Sequence, residues 1–428
     1  LLNSDEGLKK VIGVRSLAAN AVNLTVGAGI FVLPAVVASY IGTAGFLAYT
    51  LCALLMGMVL LCFMEVGSKI PVTGGVYAYV ESAFGPFIGF LANTLFWFGY
   101  SVMADAAVAN ILADSMATFF PAFGHPVARI IFLAILFGGI AWLNVLGIKQ
   151  GNRLVEIITV AKLLPLLVLI VVGVFFINIE NYQVTVWPSV GKLGEVSLIL
   201  FFAFVGMECS LSASGEIKNP RRTIPRGILL GMLVIFVFYM MIQFVAQGVL
   251  GSELALQKEA PLARVADLIL GDFGKVMIVI GAAVSGFGLI SGDIMITSRV
   301  PYAAARDGLL PRFLAIIHTR YATPHVSIIF YATIGFIISV SGGFRQLAVV
   351  ASSSMLIIYF GVILATIKLR KNKVEGSFVV PGGLTIPVIA LLVTVWFLSN
   401  LAISEIIGGL IFLAISSVIF FLMKIFKK

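Results

Sequence analysis

The sequence predicts an all-α integral membrane protein of about twelve transmembrane helices, and three observations lead there. Hydrophobic residues make up 61% of the chain and charged residues only 11%, whereas a soluble domain carries about 25% charged residues. Such a chain cannot clothe itself in a water-compatible surface. The apolar residues also come in runs of bilayer length. No charge occurs between Ser16 and Met64, which is room for two spans of about 20 residues each, parted at Ile41, Gly42 and Thr43. Finally, basic residues gather at alternate span ends, as expected when an even number of helices leaves both termini on one side.

Taken in order, apolar runs of spanning length place helices near 14–39, 44–67, 86–119, 127–147, 154–178, 196–213, 227–250, 275–306, 326–341, 346–368, 384–404 and 406–424. The last two are divided only by Glu405. Two connections look structured. Residues 73–85 are short and aromatic, suiting an interfacial segment at the inner surface. Residues 252–270 place Leu254, Leu262, Val265 and Ile269 at near-helical spacing, which predicts an outer amphipathic helix. Residues 1–16 are polar and the first apolar run is too long for a cleavable signal peptide, so none is expected.

On one face fall Lys9, Lys10, Arg15, Lys69, Lys149, Arg153, Lys218, Arg221, Arg222, Arg226, Arg299, Arg306, Arg312, Arg320, Lys368, Arg370, Lys371, Lys373, Lys424, Lys427 and Lys428. The other face holds Arg129, Lys192, Lys258, Arg264, Lys275 and Arg345. This bias predicts cytoplasmic N and C termini in a plasma (inner) membrane. It also accounts for the net charge of +9 by contact with the lipid bilayer, without a nucleic-acid partner. Cys52, Cys62 and Cys209 all lie inside apolar runs, offering no disulfide framework and no metal spacing.

The informative features are interruptions of apolar helices. The first span contains Gly27, Ala28 and Gly29 followed by Pro34; the sixth contains Val205, Gly206 and Glu208. Glycine often marks close helix packing in membranes, and either break alone has that reading. Their corresponding positions, each in the first span of a possible five-helix unit, instead suggest an inverted-repeat transporter with a midplane site. Unwinding exposes N–H groups at a positive helix end, which suit a carboxylate, and carbonyls, which suit an ammonium. Such backbone is tolerated at that depth only where it lines a cavity. A zwitterion held by its α groups fits best.

Several stretches then resemble the amino acid–polyamine–organocation transporters with the LeuT-type fold: GAGIFVLP at 27–34, Glu65 followed by PVTGGVYAY at 71–79, FGP at 84–86, FAFVGME at 202–208, EIKNPRR at 216–222, SR at 298–299 and ARDGLLP at 305–311. They cover roughly residues 14–370. The resemblance implies a five-plus-five inverted-repeat core over 14–370, with repeats at 14–178 and 196–368, and two accessory helices at 384–424. It implies that N–H groups of Gly27, Ala28, Gly29 and Ile30 bind a substrate carboxylate. Carbonyls near Thr25, Phe202 and Val205, beside Gly206, would receive the amino group. Phe202 falls where relatives carry an aromatic gate, and its place beside the break favours that role over plain packing among 34 phenylalanines.

Asp105, Lys162, Glu208 and Asp293 are ionisable residues inside spans, each expensive there and so a functional candidate. Lys162 could snorkel to the inner surface. By resemblance, it would instead place its ammonium between the first and eighth spans, where sodium-coupled relatives bind an ion. Thr297 and Ser298 would match that site's hydroxyl ligands. The coupling ion would then be H+, with no other cofactor and no metal; related exchangers carry a lysine here without proton coupling. Asp293 would fall in the side-chain pocket, where it could pair with a cationic substrate, pair with Lys162, or stay protonated beside a neutral one. Glu208 could carry a proton or cap a restarting helix. Asp105 lies near the pocket positions Gly99, Tyr100 and Ala104, and Ser352, Ser353 and Ser354 could supply hydroxyls or mediate packing.

The expected function is secondary active transport of an amino acid or related amine by proton-coupled symport, with exchange as the alternative. An enzyme is disfavoured: His125, His318 and His325 sit at span ends, and no nucleophile elbow, phosphate loop or metal motif occurs. A channel would want a continuous polar lining. Oligomeric state and accessory subunits are not legible.

Overall fold

The computed structural model describes residue 10 and residues 12–426, apart from 72–74, 147–151, 185, 258–259, 307–309, 322 and 372–373. The basic positions Lys9, Lys149, Lys258, Lys373, Lys427 and Lys428 lie outside the described residues, as do parts of the motifs at 71–79 and 305–311. Nine helical stretches are long and apolar enough to cross a bilayer, and two shorter apolar helices, His325–Ser341 and Thr385–Ser399, join them. The first of the nine, Leu33–Lys69, reverses at Gly42, where φ is +55°. It therefore belongs to two spans, giving twelve among the described residues. The chain is an all-α integral membrane protein.

The first span starts as the helix Val14–Thr25, loses helical geometry at Val26 and Gly27, makes one tight turn at Ala28–Phe31 and resumes at Leu33–Ile41. Pro34 stands at the second position of the new helix, where its missing N–H costs no hydrogen bond. The sixth span runs Val190–Phe201, turns at Phe202–Phe204, becomes extended at Val205 and continues as a 3-10 segment, Met207–Glu216. Gly206 has φ +123°, a region that side-chain-bearing residues seldom adopt. A Cβ there would lie 2.5 Å from the Leu24 carbonyl oxygen. The two breaks therefore meet main chain to main chain.

Other boundaries moved for identifiable reasons. The sixth span begins at Val190, where the Ser189 side chain caps it by accepting from the Lys192 N–H. The seventh begins at Pro220, not near 227, because Arg221, Arg222 and Arg226 ride in its first two turns. The eighth ends at Thr297, and Arg299–Arg306 is a separate helix. The outer segment divides into a 3-10 turn, Gly251–Leu256, and a helix from Pro261 that bends into the eighth span at Gly271. Leu254, Leu262, Val265 and Ile269 are buried, as their spacing predicts. The break between the last two spans lies at Asn400–Ala402, with the Glu405 carboxylate accepting from the Ala402 N–H.

At the end of the bundle holding Lys69, Glu65 is fully buried. Arg370, from the end of the tenth span, donates to it twice through Nε, at 3.0 and 3.2 Å, and once through Nη2, at 2.7 Å. Lys69 Nζ lies 3.0 Å away and the Val380 N–H donates at 2.9 Å. Ser68 Oγ accepts from the Phe378 N–H. One carboxylate thus ties the second span, the tenth and the connection to the eleventh.

Candidate functional site

Between the breaks lies a narrow, nearly closed cavity of about 20 Å³, little more than the room of one water molecule, lined by Leu24, Thr25, Gly27, Gly29, Ile30, Tyr100, Ala104, Val108, Phe202, Ala203, Val205 and Leu289. Six of the eight residues predicted to hold the substrate through the breaks line it: Thr25, Gly27, Gly29, Ile30, Phe202 and Val205. Ala28 and Gly206 are buried beside it. A helix start leaves its first N–H groups without intrahelical acceptors, and no side chain caps the turn at Ala28.

The carbonyls are less free than expected. Thr25 O accepts from the Gly27 N–H at 2.9 Å. Tyr239 Oη, from the seventh span, lies 3.2 Å from Thr25 O and 2.9 Å from Ala203 O, bridging the two breaks. Sequence reading missed Tyr239, a lone hydroxyl in an apolar run. Phe202 covers Gly29, its ring 3.4 Å from where a Cβ would stand, and meets Phe344 edge to face at 5.8 Å between centroids. That placement fits an aromatic cover over the cavity. The third span widens into π turns at Leu95–Val102, which carries Tyr100 into the cavity wall; π turns inside α-helices often mark functional sites.

Lys162 does not snorkel. It is fully buried, with Nζ 2.8 Å from Asn23 O and 2.8 Å from Val26 O. The ammonium sits at the carbonyl end of the first half-helix, where a positive charge is favoured. Ser285, from the eighth span, donates to Val26 O at 3.0 Å.

The eighth-span register differs from the expectation. The hydroxyl beside the ammonium is Ser285, not Thr297 or Ser298. Those lie twelve and thirteen residues further on, about 18 Å along a helix rising about 1.5 Å per residue. Thr297 instead faces Asp293 at 2.8 Å and Ser101 at 3.5 Å, and Ser298 Oγ is buried without a hydrogen bond. Asp293 does not line the cavity either. It lies one turn beyond Leu289, facing Thr297 and Tyr331. Among the described residues, no charged side chain lines the cavity.

Glu208 Oε1 accepts from the Gly206 N–H at 3.0 Å, capping the restart of the sixth span, and the Tyr359 hydroxyl faces the same carboxyl. Asp105 points away from the cavity toward Tyr331, at 3.1 Å. Ser354 packs on Gly99, so neither lines the cavity, and nor does Ser352.

Comparison with known proteins agrees with this geometry. The amino acid permease family matches residues 12–423. The chain is 28% identical to the serine/threonine exchanger SteT of Bacillus subtilis, covering 86% of this chain and 85% of SteT. It is 27% identical to the branched-chain amino acid permease BcaP of the same organism, covering 98% and 94%. It is also 27% identical to the b(0,+)-type amino acid transporter 1 of Mus musculus, covering 93% and 84%. With two broken spans facing one small cavity and a family match across nearly its whole length, the chain belongs to the amino acid permease family and is a membrane transporter of amino acids, not an enzyme.

Proposed function

We propose that this transporter carries a neutral amino acid with a small or aliphatic side chain, by alternating access and in symport with a proton, with Lys162 as the coupling group. The observation that carries the coupling is the buried Nζ at 2.8 Å from both Asn23 O and Val26 O. Hydrogen bonds from a charged donor contribute about 1.5–3 kcal/mol each. Protonated Lys162 therefore clamps the first half-helix to the fifth span, and loss of the proton loosens it. The substrate class rests on the cavity wall: Ala104, Val108 and Leu289 are apolar, Tyr100 supplies a hydroxyl, and no charge is present.

In this reading the exposed amides at Ala28, Gly29 and Ile30 hold the carboxylate, carbonyls at Thr25, Phe202 and Val205 the ammonium, and Phe202 covers the pair. Two five-span repeats, 14–178 and 196–368, surround the site in a LeuT-type arrangement, with 384–424 accessory. The basic bias supports cytoplasmic termini in a plasma membrane. An exchanger is the second reading, favoured by the likeness to SteT.

Uptake into empty proteoliposomes separates them. An inward acid gradient alone should drive accumulation of alanine or valine, and Lys162→Met should abolish that drive. Uptake that requires internal amino acid and ignores the gradient refutes symport.

A further inference from the structure

Asp105 on the third span and Asp293 on the eighth are both held by one phenol, Tyr331 of the ninth. Its Oη lies 3.1 Å from Asp105 Oδ2 and 3.3 Å from Asp293 Oδ2. Asp293 Oδ1 accepts from Thr297 at 2.8 Å. Asp105 is fully buried, and among the described residues its Oδ1 has no hydrogen-bond partner. Beside each other, the groups whose charge reaches this pair are Tyr331, Tyr100 and Cys209, and Glu208 acts on the last two; the hydroxyls of Ser101 and Thr297 also face it. None of these is a cation.

A tyrosine hydroxyl has one hydrogen to donate and two lone pairs to accept. It can serve only one carboxylate, so the second close contact needs its hydrogen from the other acid. The partnerless Oδ1 decides which acid supplies it. A buried ionised carboxylate oxygen without a donor is far costlier than the carbonyl oxygen of a neutral acid. Two acids this close also resist being ionised together.

We infer that Asp105, Tyr331 and Asp293 form a proton-binding site holding one proton: neutral Asp105 donates to Tyr331, and Tyr331 donates to ionised Asp293. The chain is complete, with every polar hydrogen used and one negative charge left on Asp293, which Thr297 and Tyr331 both stabilise. The site stands beside the cavity without opening into it, since Ala104 and Leu289, its neighbours on two helices, form cavity wall. Losing the proton doubles the negative charge there, so occupancy sets how strongly a substrate ammonium is drawn in. This site is separate from Lys162 and goes beyond the coupling proposed above.

Infrared difference spectroscopy on the full chain in lipid tests it. At neutral pH the protein should show the carbonyl band of a protonated carboxyl, and Asp105→Asn should remove about one carboxyl's share of it. Lys162→Met should leave that share in place, so failure of the coupling proposal is distinguishable from failure of this one. In Tyr331→Phe, where the acid loses its acceptor, the band should remain but shift in frequency; this holds as a test even if Asp105→Asn does not fold. A spectrum unchanged by Asp105→Asn, or a band unmoved by Tyr331→Phe, overturns the inference. So does a sodium-dependent rise in melting temperature that Asp105→Asn abolishes, which would make the pair a metal-cation site.

Discussion

Gly206→Ala addresses the contact on which the candidate substrate site is built. The added methyl would stand 2.5 Å from the Leu24 carbonyl oxygen, 3.0 Å from its carbon and 3.3 Å from Thr25 Cα. All three are main-chain atoms, so no side chain can swing aside. Holding a non-glycine residue near φ +123° costs about 1–3 kcal/mol, and inserting a methyl into packed surroundings costs about 1–3 kcal/mol more. The total, about 2–6 kcal/mol, is a large share of the roughly 5–15 kcal/mol that holds a folded protein together. Part of it will be relieved by parting the two breaks, which spoils the cavity. Purified Gly206→Ala should therefore melt well below wild type, and the stabilisation by added amino acid, which follows mass action, should report affinity reduced about tenfold, or about 1.4 kcal/mol. Gly57→Ala is the matched control: its Cβ would find only Met232 Sδ at 3.6 Å, an ordinary contact, and alanine favours the helix. If Gly206→Ala matches Gly57→Ala in melting temperature and affinity, the two breaks do not bear on each other as described.

Three further outcomes are expected. Glu65→Gln leaves Arg370 and Lys69, both part-buried, beside a neutral amide, and removing one partner of a fully buried ion pair costs about 3–5 kcal/mol, an upper bound here; thermal unfolding should show a clear loss, and wild-type stability would contradict the clamp. Tyr239→Phe removes the hydroxyl between Thr25 O and Ala203 O, worth about 0.5–1.5 kcal/mol, so KM for uptake should rise roughly two- to tenfold with protein abundance unchanged. Gly27→Ala points a methyl at Leu289 Cδ1, 2.6 Å away; that flexible tip can yield only into the cavity, so competition by leucine or valine should weaken more than competition by alanine or glycine.

The breaks were legible because glycines, followed by a proline in the first, interrupt apolar runs at corresponding positions of the two halves. Lys162 was legible because an ammonium inside an apolar helix has to be accounted for. The eighth span was harder. Ser285, Ser291, Thr297 and Ser298 all lie in a stretch with Gly281, Gly286, Gly288 and Gly292, and spacing alone does not say which hydroxyl meets the first span. Leu289 against Gly27 fixes that register, and this is a tertiary contact. The pairing of Asp105 with Asp293 depends on Tyr331, which sits in a third helix, so no local pattern announces it. The early start of the seventh span is hidden in the sequence because Arg221, Arg222 and Arg226 interrupt the apolar pattern, whereas long basic side chains at a helix end reach water while their backbone stays helical.

Gly206 abuts Leu24 with no side chain between, so on the proposed reading the grip on a ligand's invariant end is written in peptide groups, which every residue possesses alike. Substitution can shift such a grip but cannot change its chemistry. Diversity is left to the walls, Tyr100, Ala104, Val108 and Leu289, where single replacements alter size and polarity without disturbing the hinge. A scaffold divided in this way can exchange one cargo for another by a few surface changes in the cavity while its moving parts stay the same, which accords with relatives named for serine and threonine in one case and for branched-chain amino acids in another.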